Sequence, residues 1–94
     1  MGRWLESGVR RDSCVLLYGT DGLSGQALKT RLERHYDERL EPRGFYGRLD
    51  ALVDRGYVET RTEGLQDIYE LTAAGERGVE EQFAWMRERI EGSD

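Results

Sequence analysis

Arg43, Gly44, Gly47 and Arg48 fall within one short segment whose apolar residues Phe45, Leu49, Leu52 and Val53 recur at helical spacing. If Phe45, Leu49 and Leu52 turn to a core, the two arginines and two glycines occupy the opposite face. A guanidinium donates two hydrogen bonds to O6 and N7 of guanine, a contact that discriminates by about 1–3 kcal/mol. Each glycine costs about 1 kcal/mol in a helix relative to alanine, and close approach to a phosphate or base is one reason to keep two. The alternative is plain surface charge, with Arg48 pairing to Glu41 or Asp50. Downstream, Thr60, Arg61 and Thr62 place a guanidinium and two hydroxyls on one exposed ribbon. An arginine there can enter a narrow minor groove; the alternative is an ordinary polar hairpin. Lys29, Thr30 and Arg34 are candidates for phosphate contacts, which position a protein without specifying sequence.

These residues need elements to hold them. Residues 8–18 read as a first helix with Val9, Val15, Leu16, Leu17 and Tyr18 as its apolar positions. Thr20-Asp21-Gly22 reads as a turn. Ser24 is an N-cap for a second helix that runs to Tyr36, with a buried stripe of Ala27 or Leu28, then Leu32 and Tyr36. A third helix starts at Pro42, which suits a first helical turn, and stops at Gly56. A hairpin follows, Val58 to Thr62 and Asp67 to Leu71, with Glu63-Gly64 at its tip. Thr72 caps a fourth helix over 73–91. A helix followed by a two-stranded wing is the reading half of a winged helix-turn-helix domain. The expected fold class is therefore mainly α with a small β-hairpin (α+β), in a single domain over 1–94: a core over 8–72 and a C-terminal dimerisation helix over 73–91.

The segment from Leu40 to Gly75 resembles PadR-like transcriptional regulators. Their signature runs roughly Leu-Ser-Pro-Gly-Thr-Leu-Tyr, then Leu, then Leu-Glu-Glu-Glu-Gly-Leu-Val, a wing, and Tyr-x-Leu-Thr-x-x-Gly. Leu40, Pro42, Tyr46, Leu49, Leu52, Gly56, Val58, Tyr69, Leu71, Thr72 and Gly75 match it. Upstream, Gly22-Leu23-Ser24-Gly25-Gln26-Ala27-Leu28 is similar to the family's entry into its second helix. Gln26 stands where an aromatic is common, and Arg43-Gly44 where Gly-Thr is usual. The resemblance implies that Tyr46 touches a backbone phosphate or groove wall; half-buried packing is the plainer reading.

Charge first argues the other way. The chain is −5 overall with a pI near 4.9, whereas a basic face is the usual footprint of a DNA-binding protein. The balance is uneven: residues 24–62 carry eight basic and seven acidic groups, while residues 63–94 carry three arginines against nine acids. The acid is expected mostly in the tail helix, away from the third helix. Thirteen of the fourteen cations are arginine. An acidic, lysine-poor composition resembles that of proteins from salt-loving organisms, such as a halophilic archaeon or its virus.

Val79, Phe83, Met86 and Ile90 recur at spacings of four, three and four, the seam of a short coiled coil. Trp85 widens it, and Trp4 and Leu5 are expected to join the interface of a homodimer. His35 has no metal-ligand set around it, and no nucleophile–base–acid constellation or phosphate-binding glycine loop occurs, so catalysis, a metal and a cofactor are not expected. Cys14 alone excludes an intrachain disulfide. No long apolar run suggests a membrane span or a secretory leader, so the expected location is cytoplasmic. With one helix after the wing, a small-molecule effector is not expected. Two function classes remain. One is a dimeric, sequence-specific double-stranded DNA-binding regulator, a repressor on a palindromic operator. The other is a winged-helix protein-interaction module without specific DNA binding.

Overall fold

The computed structural model describes residues 8–92; Trp4 and Leu5 lie outside the described residues. Four helices and three strands follow in the order α1 (Gly8–Leu17), β1 (Leu23–Ser24), α2 (Gly25–Tyr36), α3 (Pro42–Asp54), β2 (Val58–Glu63), β3 (Gln66–Leu71) and α4 (Ala73–Glu91). The expected caps form. Ser24 accepts from the Ala27 amide at 3.1 Å and Thr72 from the Gly75 amide at 3.1 Å, which satisfies donors that have no intrahelical partner. Glu41 does the same for α3, accepting from the Gly44 amide at 2.7 Å, one residue before Pro42.

The sheet has one strand more than the expected hairpin. Leu23 and Ser24 pair antiparallel with Tyr69 and Ile68, giving the order β1-β3-β2. This covers one edge of β3 and anchors the wing to the start of α2. The core gathers Cys14 and Leu17 of α1, Leu28 and Leu32 of α2, Phe45, Leu49 and Leu52 of α3, and Val58, Tyr69 and Leu71 of the sheet. Helix α1 turns differently from expectation. Ser13, Cys14 and Leu17 face inward, whereas Val15 and Tyr18 are 49% and 43% exposed. Ser13 is accommodated because its hydroxyl donates back to the Val9 carbonyl at 2.7 Å.

Two joints fix α3. Before it, Glu33 accepts from Lys29 Nζ at 2.7 Å and from the Leu40 amide at 2.9 Å, which ties the end of α2 to the following turn. After it, Gly56 turns the chain into β2, and α4 crosses the first residue of that turn very closely. A Cβ on Gly75 would sit 2.1 Å from the Tyr57 carbonyl oxygen and 2.8 Å from Leu71 Cδ2, so only glycine lets α4 dock there.

Candidate nucleic-acid interface

Helix α3 buries Phe45, Leu49 and Leu52 and turns Arg43, Gly47 and Arg48 outward. Among the described residues, Arg43 and Arg48 have no hydrogen-bond or ion-pair partner; Glu41 is engaged at the helix cap rather than with Arg48. Arg48 instead lies along the helix with Nη1 3.1 Å from where a Cβ on Gly44 would be. Gly47 has nothing within 4 Å of the corresponding point, so the backbone there is open to close approach. Tyr46 is half buried. Its ring stands edge-on to Phe45 at 4.9 Å and crosses Gly25, whose Cβ would lie 2.7 Å from Tyr46 Cε1. It thus packs α3 on the start of α2 and also lines a groove.

That groove, about 490 Å³, runs between three elements: Ser24, Gly25 and Gln26 at the start of α2, Tyr46 and Asp50 of α3, and Gln66, Asp67 and Tyr69 of β3. It holds two carboxylates and no arginine or lysine. Helix α3 with the following Arg55 carries Arg43, Arg48 and Arg55 against Asp50 and Asp54, net +1; the wing 58–71 carries Arg61 against Glu59, Glu63, Asp67 and Glu70, net −3. The acid is therefore not mostly in the tail helix, as the sequence suggested, because Glu63, Asp67 and Glu70 of the wing carry half of the downstream excess.

The wing residues do not act as a set. Cross-strand partners share a face, so Thr60 (opposite Tyr69) and Thr62 (opposite Asp67) lie on the core-side face, and Arg61 (opposite Ile68) on the other. Arg61 is also occupied. Its Nε donates to Glu63 at 2.7 Å, Nη1 to Glu70 at 2.6 Å and Nη2 to the Asp21 carbonyl at 2.8 Å. The two carboxylate bonds hold its pKa above the usual arginine value. Lys29 is likewise engaged with Glu33, whose pKa this bond and the Leu40 amide lower; Thr30 next to it is half buried. Arg34 is exposed on the far part of α2. The sequence signal for these engagements is faint: Lys29 and Glu33 are four apart on a helix, but nothing local links Arg61 to Asp21.

Helix α4 leaves the body after its first turns. Gly75 and Gly78 are its buried residues, and Val79 packs against the core rather than standing free in a seam. Beyond it, Phe83 (62%), Trp85 (45%), Met86 (45%) and Ile90 (78%) are exposed, and the molecule is drawn out to 51 × 29 × 20 Å. His35 is exposed, and no metal-binding group of side chains occurs among the described residues. No described helix is long and apolar enough to cross a membrane.

No family model matches the chain, and no curated protein matches it. Solved structures do. RosR of the halophilic archaeon H. salinarum superposes with a TM-score of 0.86 at 27% identity, over 94% of this chain and 79% of that one. F-93 of the archaeal virus SSV1 gives 0.69 at 18% identity, over 88% and 92%. Bacillus subtilis PadR, in complex with operator DNA, gives 0.66 at 19% identity, over 81% of this chain and 45% of that one. The four helices and three-stranded antiparallel sheet match these winged-helix neighbours, and the chain has the winged helix-turn-helix fold of the PadR-like transcriptional regulators.

Proposed function

We propose that this chain is a dimeric, sequence-specific regulator of transcription that binds double-stranded DNA through α3, acts by occupancy rather than catalysis, and represses by blocking promoter access. The observation that carries the reading is the outward face of α3, where Arg43 and Arg48 are exposed and unengaged beside the open backbone of Gly47. A helix of this kind enters the major groove with its N-terminal residues at the base edges, and Arg43 lies in the first turn. The similarity to PadR held on operator DNA supports it. Residues 8–72 form the DNA-binding core and 73–91 the dimerisation helix of one domain. Burying Phe83, Trp85, Met86 and Ile90 against a second copy is worth about 1.5–3 kcal/mol per large side chain. A two-fold pair would set two α3 helices about one turn of DNA apart on a palindrome. Arg43, Gly44, Tyr46, Gly47, Arg48, Thr60 and Thr62 are the contacts proposed near the bases and groove walls, with Thr30 toward phosphate.

Genomic DNA selection followed by sequencing, at low and at multimolar potassium chloride, tests this. Enrichment of one palindromic motif, lost in the Arg43→Ala/Arg48→Ala double variant, is expected. A folded protein that enriches no sequence at either salt overturns the proposal and leaves the protein-interaction reading. The acidic composition and the likeness to RosR of a halophile favour persistence of binding at multimolar salt.

A further inference from the structure

Leu65 is fully exposed at the tip of the wing, and the reading of α3 makes no use of it. Single exposed leucines are common; what distinguishes this one is the bracing behind it. Gly64, at φ 63°, turns the chain in a two-residue loop between the paired Glu63 and Gln66, which makes the tip short and stiff. Arg61 then cross-braces the hairpin. It bonds Glu63 on its own strand at 2.7 Å, Glu70 on the opposite strand at 2.6 Å, and the Asp21 carbonyl before β1 at 2.8 Å. The strand leaving the tip, through Gln66 and Asp67, walls the same groove as Tyr46 and Asp50 of α3. The acids nearest the tip are drawn back onto the wing: Glu63 by Arg61, and Asp67 by the Thr62 hydroxyl at 3.1 Å.

We infer that the wing meets duplex DNA through the apolar side chain of Leu65, and that Arg61 is a positioning residue that aims this tip beside α3 instead of touching DNA itself. The inference rests on the reading of α3 as the recognition helix. A hairpin with net charge −3 and its one cation occupied is poorly suited to phosphate, whereas an apolar side chain can press on sugars and base steps in the minor groove. Such a contact releases no counterions, so its contribution does not decay with salt as a phosphate contact does.

The experiment is a salt series of duplex binding by the intact chain, with the most enriched sequence of the genomic selection as probe. Leu65→Ser, at a site without packing partners, is expected to weaken binding about tenfold at every salt. Arg61→Ala weakens binding with the slope of log K against log salt unchanged, and Arg61→Lys recovers part of the loss. Glu70→Gln removes a negative charge, which alone would strengthen DNA binding; as a break in the brace it weakens it. Unchanged affinity in Leu65→Ser, stronger binding in Glu70→Gln, or a slope reduced by about 0.9 in Arg61→Ala overturns the inference. Should Arg61→Ala fail to fold, Leu65→Ser and Glu70→Gln decide. The Arg43→Ala/Arg48→Ala variant in the same assay reports on α3 separately: wild-type binding there would sink the reading itself, not the tip alone.

Discussion

Helix α3 and the wing border one groove with opposite chemistry. On α3 the arginines point outward with no partner among the described residues, the backbone is bare at Gly47, and the net charge with the following Arg55 is +1. On the wing the single arginine is bonded three ways, hydroxyls and guanidinium lie on opposite faces, and the net charge is −3. The same residue type thus stands exposed and unbonded in one element and serves as a brace in the other. What decides is the neighbourhood: carboxylates two residues away on the same strand and diagonally across on the next capture Arg61, whereas on the helix Glu41 is taken by the Gly44 amide and leaves Arg43 and Arg48 unbonded. Counting arginines along a chain therefore overstates the basic surface.

The contrast can be broken or sharpened by substitution. The largest effect is expected from Arg43→Ala/Arg48→Ala, which should cost about 1–3 kcal/mol of base discrimination per arginine and leave the melting temperature unchanged. Fluorescence titration with specific and scrambled duplexes reads it; equal losses on both would mean phosphate contact only. Gly75→Ala comes next. Its Cβ would strike the Tyr57 carbonyl that leads into β2, so the wing must shift relative to α3, at about 1–3 kcal/mol of stability, measurable by urea unfolding. Gly47→Ala should do the reverse, stabilising the isolated protein by about 0.5–1 kcal/mol because the site is open, while weakening DNA binding. A variant both more stable and equally tight-binding would remove the case for close approach at α3.

The smallest effect concerns the joint before α3. The Lys29 and Leu40 bonds keep the Glu33 pKa below its usual 4.5. A lowered folded-state value adds stability that is present above 4.5 and lost as the pH falls through the folded value. Acid unfolding of Glu33→Gln should therefore show a shallower fall in that range, with a small loss at neutral pH; identical acid limbs would show the joint to be idle.

Much of this arrangement is legible in the residues. Ser24, Pro42, Gly56, Gly64 and Thr72 mark boundaries because caps and tight turns select side chains by local geometry, and Phe45, Leu49 and Leu52 announce the buried face of α3 by spacing. What stays hidden depends on partners distant in sequence. A two-residue strand at Leu23–Ser24 has no periodicity of its own and exists only because Tyr69 and Ile68 lie alongside. Arg61 reaches an Asp21 carbonyl that no local rule connects to it. The inward turn of Ser13 and Cys14 in place of Val15 and Tyr18 reflects which neighbours α1 meets. Val79 joins the core because α4 is pinned at Gly75 and Gly78, and the apolar face becomes free only beyond them.

Cys14, wholly enclosed with its thiol pushed up to about 12 by burial, gives the molecule a built-in clock. A thiol-specific reagent reacts with the thiolate, and the folded state offers it neither access nor ionisation. The rate at which such a reagent consumes Cys14 then counts how often the core opens. The same trace, taken with and without a bound duplex, would weigh the stabilisation that binding confers without any label having been attached.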